Sequence, residues 1–101
     1  MTYHGINIPG EQIATFCRRN HIRQLSLFGS VLSEEFRSDS DIDMLVEFRP
    51  GCSVGLIGIA RLEHELTGMI GRKVDLRTPA ELSRYFRGEV MKNSQVQYAE
   101  E

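Results

Sequence analysis

The amino-acid sequence predicts an α/β (α+β) domain, a small mixed β-sheet flanked by helices. Three observations carry this. Apolar residues recur at helical spacing in some stretches and at strict alternation in others. The two kinds of stretch follow one another as helix, strand, helix, strand, helix, strand, helix and a last short strand. With 101 residues, 41 % of them hydrophobic and 26 % charged, the composition is that of an ordinary globular chain. One domain over residues 1–101 is the expectation at this length.

The first element follows Pro9-Gly10. Ile13, Phe16, Cys17 and Asn20 lie at helical spacing, so residues 10–20 read as a helix that stops at Asn20-His21. Residues 22–28 read as a strand with Leu25 and Leu27 on one face and Ser26 and Phe28 on the other. Gly29-Ser30 breaks it. Residues 31–36 suit a short helix, and residues 37–40 form a polar turn. The clearest strand covers residues 41–48, where Ile42, Met44, Val46 and Phe48 alternate with Asp41, Asp43, Leu45 and Glu47. Residues 54–69 read as a helix whose Leu56, Ile59, Leu62, Leu66 and Met69 form a core stripe, with Gly55 and Gly58 weakening its first turn. Residues 72–77 make a short strand in which Val74 and Leu76 flank Asp75. Thr78 is an N-cap and Pro79 a first helical residue for a last helix running to about Lys92. Residues 96–98 suit an edge strand. Tyr85-Phe86 on the last helix suits either core or a partner surface.

Several function classes are set aside by composition. No apolar run approaches the ~18 residues of a membrane span. The first residues, Met1-Thr2-Tyr3-His4-Gly5, lack the basic and apolar regions of a secretory signal. Cys17 and Cys52 form neither a disulfide framework nor a metal pair, which fits a reduced cytoplasmic setting. His4, His21 and His64 show no metal-ligand spacing. A net charge of −2 argues against general nucleic-acid binding. The charges are unevenly placed, however. Glu34, Glu35, Asp39, Asp41, Asp43 and Glu47 crowd one stretch, whereas Arg72, Lys73, Arg77, Arg84, Arg87 and Lys92 dominate another.

Asp41 and Asp43 are two apart on a strand, so their carboxylates share a face. Their repulsion gives the fold nothing. A divalent cation would relieve it, and Mg2+ favours one or two carboxylates together with phosphate oxygens. Two such ions can organise the attacking and leaving oxygens of an in-line displacement. Asp75 joins the pair on one face if its strand lies beside theirs, where it could complete the site and accept a proton. The alternative is an exposed Asp75 paired with Arg72, Lys73 or Arg77. Gly29-Ser30 stands where a strand gives way to a helix, a place suited to a phosphate; the alternative is that Ser30 caps that helix. The combination, Gly29-Ser30, ten residues, then Asp41-Ile42-Asp43, arises by chance in roughly one chain per thousand of this composition.

The run from Leu27-Phe28-Gly29-Ser30 to Ser40-Asp41-Ile42-Asp43-Met44-Leu45-Val46 resembles the G-S-x10-D-x-D signature of the DNA polymerase beta-like nucleotidyltransferases. Gly71-Arg72-Lys73-Val74-Asp75-Leu76-Arg77-Thr78-Pro79 resembles the third-carboxylate strand of their smallest members, and the similarity extends over about residues 8–98 by pattern. It resembles most the minimal nucleotidyltransferase (MNT) antitoxins encoded beside HEPN ribonuclease toxins. The resemblance implies the nucleotidyltransferase (palm) fold, with Gly29 and Ser30 holding the triphosphate of ATP, Asp41 and Asp43 binding Mg2+, and Asp75 assisting the nucleophile. It also implies transfer of AMP to a tyrosine of a HEPN toxin, which silences the toxin.

One departure is Ser33. Many members carry an arginine three residues after the serine, and its loss removes a phosphate-binding guanidinium that Arg37 or Arg72 would have to replace. Two other readings stand beside the antitoxin enzyme. One is transfer to a small molecule such as an aminoglycoside, against which the lack of residues for an acceptor-holding domain counts. The other is a toxin-binding domain with a relic motif.

Overall fold

The structure is a computed structural model and describes residues 2–100. Two short strands, β1 (Thr2–Tyr3) and β2 (Ile6–Asn7), pair as an antiparallel hairpin. Helix α1 spans Gly10–Arg19 and strand β3 Ile22–Phe28. A 3-10 turn, Gly29–Leu32, leads towards β4 (Ile42–Phe48). Helix α2 (Gly55–Ile70) crosses to β5 (Val74–Arg77). A second 3-10 turn (Pro79–Glu81), helix α3 (Arg87–Asn93) and strand β6 (Gln95–Ala99) complete the order.

The main sheet runs β5-β4-β3-β6 and is mixed. β3 pairs antiparallel with β4 and with β6, whereas β4 and β5 are parallel. A parallel pair needs a crossover, and α2 supplies it. Leu25, Leu27, Ile42, Met44, Val46, Val74 and Leu76 share one face and are all buried. Ile13, Phe16 and Cys17 of α1 and Leu62 and Leu66 of α2 pack there, forming one apolar core. Arg19 of α1 and Glu65 of α2 form an ion pair above it. Burial pushes the Cys17 thiol up to about 12, against a weaker opposing effect of Arg18. The opposite face carries Ser26, Phe28, Asp43, Leu45 and Asp75, and the segment 79–93 packs over part of it against β3 and β4.

Three predicted elements are corrected. The short helix foreseen at residues 31–36 is only the Gly29–Leu32 turn. Ser33 ends it: both its backbone N–H and its hydroxyl donate to the Ser30 carbonyl, and the hydroxyl accepts from Glu35 N–H. This is the usual competition of a serine side chain with helix continuation. The last helix does not run unbroken from Pro79. Thr78 does stand at the foreseen N-cap, and with Glu81 it forms a capping box. Leu82 is then extended, and Ser83 Oγ accepts from Tyr85 N–H, so helix resumes only at Arg87. Leu56 does not belong to the core stripe; it is 87 % exposed. A helix of 16 residues is ~24 Å long, whereas β5 with four residues is ~13 Å, so the first turn of α2 outruns the strand it covers.

Strand limits shift slightly as well: β4 begins at Ile42 and β5 at Val74. The α2 stop was legible. Gly71 takes φ 79° at the C-cap and donates its N–H to the Thr67 carbonyl.

Candidate active site

The sheet register brings the predicted residues together. Asp43 of β4 stands directly opposite Asp75 of β5 on one side and Phe28 of β3 on the other. Alternation places Asp41 on the same face as Asp43. Gly29 follows Phe28 at once, so the glycine meets Asp43 across the end of the sheet. An added Cβ at Gly29 would lie 2.5 Å from Asp43 Oδ2. Gly29 also has φ +78°, a backbone state that favours glycine. Two independent constraints thus call for glycine beside the carboxylate. The N-cap of the turn is Phe28, so Ser30 lies within its first turn and is not the cap.

Electrostatics single out Asp43. Burial, followed by the carboxylates of Asp75 and Asp41, pushes its carboxyl above the ordinary range; Arg77 opposes this. Such crowding favours either a proton or a cation. Asp75 is held by Arg77, whose Nε is 3.2 Å from Oδ1 and whose Nη2 donates to Oδ2 at 3.2 Å. Arg77 Nη1 also reaches Glu81 Oε2 at 3.7 Å. The ion pair weighed for Asp75 from sequence is therefore present, and it coexists with the alignment against Asp43. Lys73 Nζ lies 3.8 Å from Asp41 Oδ2.

Among the described residues, no group of three or more His, Cys, Asp or Glu side chains stands ready as a metal cage. An open carboxylate pair is nevertheless compatible with Mg2+, because that ion keeps positions for water and phosphate. The close approach of the Gly29 backbone to Asp43, and the like charges around that carboxylate, fit a cation with phosphate ligands.

Of the two arginines considered as substitutes for the residue at Ser33, Arg72 is already engaged. Its Nη2 donates to the Arg37 carbonyl at 2.6 Å, and its guanidinium stacks 4.7 Å from the Phe36 ring centroid.

A cleft of about 750 Å³ opens beside Gly29. Phe28, Gly29 and Ser33 line one side, and Phe86, Glu89 and Asn93 another. This neighbourhood was not read from sequence. The available signal was the spacing of Phe86, Glu89, Val90 and Asn93, which places all four on one helical face.

Residues 11–101 match the family described as Polymerase beta, Nucleotidyltransferase, and the chain belongs to that family of enzymes. Its relatives narrow the class. A Methanocaldococcus jannaschii protein provisionally named a protein adenylyltransferase is 37 % identical over 73 residues, covering 72 % of this chain and 76 % of that one. The protein adenylyltransferase MntA of Thermococcus cleftensis is 38 % identical over 55 residues, 54 % of each chain. Among solved structures, a provisionally identified minimal nucleotidyltransferase superposes with a TM-score of 0.69 at 34 % identity, covering 84 % of this chain and 85 % of that one. A chain of a toxin–antitoxin complex with AMP-PNP gives 0.72 at 21 % identity, over 93 % and 76 % of the two chains. A chain from the complex of tri-AMPylated Shewanella oneidensis HEPN toxin with its MNT antitoxin gives 0.64 at 22 %, over 90 % and 70 %. At those last identities the likeness is one of fold. Among the described residues no helix is long and apolar enough to cross a membrane.

Proposed function

We propose that this nucleotidyltransferase moves AMP from ATP to a tyrosine hydroxyl of a partner HEPN toxin and so acts as its antitoxin. The observation that carries the chemistry is the alignment of Asp43 with Asp75, with Gly29 closed against Asp43. Protein adenylyltransferase relatives support a protein acceptor. The AMPylated toxin complex of like fold supports the choice of toxin. Both cysteines are free, in keeping with a cytoplasmic setting.

In this reading Asp41 and Asp43 would be the primary ligands of two Mg2+ ions, with Asp75 beside them, and Gly29 and Ser30 would hold the triphosphate. Bound there, Mg2+ would supply charge neutralisation to the phosphates and favour in-line displacement. The acceptor hydroxyl oxygen bonds to the α-phosphorus, the bond to the bridging oxygen of pyrophosphate breaks, and Asp75 takes the hydroxyl proton. Arg77 keeps Asp75 oriented towards that task.

The test is incubation with Mg2+ and ATP labelled at either the α- or the γ-phosphate, with and without the neighbouring toxin. Label from the α position alone should enter the toxin band. Label in a small molecule would replace the protein acceptor, and no label anywhere would leave a toxin-binding domain without transfer activity.

A further inference from the structure

The cleft beside Gly29 has an unusual lining for a site next to a phosphate position. Among the described residues its lining contains no Lys, Arg or His, and it carries one carboxylate, Glu89. Phosphates would be repelled there, whereas an uncharged group would not. Its volume, about 750 Å³, lies in the range of small-molecule sites. Phe86, Glu89, Val90 and Asn93 present one face of α3 and its N-cap to this space. Phe86 is 53 % exposed, a large ring left without cover by the fold. The side chains of Glu89 and Asn93 have no hydrogen-bond or ion-pair partner among the described residues. The opposite wall begins at Phe28, in register with Asp43, and continues through Gly29.

We propose that this cleft takes the nucleoside half of the donor nucleotide, with the base stacked on Phe86 and its polar edge or the ribose hydroxyls met by Asn93 and Glu89. An aromatic face suits any base, because every base has a π-face. An amide offers a donor and an acceptor side by side, the pattern that pairs bidentately with a base edge. The carboxylate accepts from an amino group or a ribose hydroxyl. Ser33, which also lines the cleft, brings no charge to this end of the site. The inference rests on the triphosphate lying at Gly29 and Ser30, and it assigns the base-contacting residues that this reading leaves open.

Calorimetry on the full chain separates the two. ATP, inorganic tripolyphosphate and adenosine are titrated, with Mg2+ present, into wild type, Phe86→Ala and Asn93→Leu, each checked for an unchanged melting midpoint. Wild type should bind ATP more tightly than tripolyphosphate. Phe86→Ala should weaken ATP about tenfold while leaving tripolyphosphate unchanged. Asn93→Leu should weaken ATP by a smaller factor, again sparing tripolyphosphate. Equal ATP affinity in all three proteins, or tripolyphosphate binding as tight as ATP in wild type, overturns the nucleoside cleft and leaves the phosphate site standing. Adenosine binding that depends on Phe86, with no tripolyphosphate binding, upholds the cleft and removes the phosphate assignment. Failure of wild type to bind any of the three overturns both.

Discussion

The two central strands and the segment 79–93 are built on opposite terms. β3 and β4 lie between neighbours on both edges, and Leu25, Leu27, Ile42, Met44 and Val46 are sealed in the core. Segment 79–93 is broken into a 3-10 turn and a seven-residue helix, it contains no fully buried residue, and Tyr85 is 84 % exposed. The strands hold Asp43 and Asp75 in a fixed register. The segment contributes the Phe86–Asn93 face of the cleft, whose side chains the core does not fix. In the proposed enzyme, chemistry rests on the buried strands and ligand preference on the less buried segment, as with loops on a stiff scaffold.

Substitutions in the two regions should therefore differ in kind. The largest effect is expected on transfer. Asp75→Asn keeps the shape but cannot accept a proton, so transfer should fall by about 10²–10⁴-fold while ATP affinity by calorimetry changes little. Collapse of both together would make Asp75 a primary ligand of the metal instead. Next comes the core: Leu66→Ala, at a fully buried site, should cost about 2–5 kcal/mol in urea unfolding. Gly29→Ala follows, at about 1–2 kcal/mol for its left-handed backbone. Its Cβ must also displace the Asp43 carboxylate, so transfer should drop more than stability does. Unaltered transfer by that variant would show that the close approach has no part in the site. The smallest change is Tyr85→Ala, within about 0.5 kcal/mol, because its exposed side chain covers little of the core. A loss as large as that of Leu66→Ala would erase the distinction between the regions.

The same contrast explains what could be read from sequence. The period-2 run through Asp41–Phe48 was legible because one side of that strand must be buried, and burial enforces alternation. The placement of Asp75 was legible only conditionally: its face was clear, but its neighbour depended on strand order, which α2 decides by its crossover. Residues 31–36 and 79–92 were over-read as continuous helices. Their apolar spacing suits a helix, but Ser33 and Ser83 each turn a hydroxyl on the local backbone and stop it. The hairpin at residues 2–7 was missed because two-residue strands carry no period. The cleft was missed because it exists only between segments distant in sequence, Phe28–Ser33 and Phe86–Asn93.

The sharpest test is Asp43→Asn, measured for both transfer and stability. Asp43 has its carboxyl raised above the ordinary 3.8 by burial and by Asp75 and Asp41. Between 3.8 and that raised value the folded state holds more proton than the unfolded chain, so folding stability falls as pH rises through this window. The neutral Asn escapes that loss. Thermal melting at pH 7 without metal should therefore find Asp43→Asn at least as stable as wild type, by a few tenths to about 1 kcal/mol. The difference should vanish as pH falls below 3.8. Label transfer from α-labelled ATP should meanwhile drop to background. A variant that still transfers AMP at the wild-type rate, or one that is markedly less stable at pH 7, would contradict the assignment of Asp43 as a strained carboxylate kept for the phosphate-bearing cation.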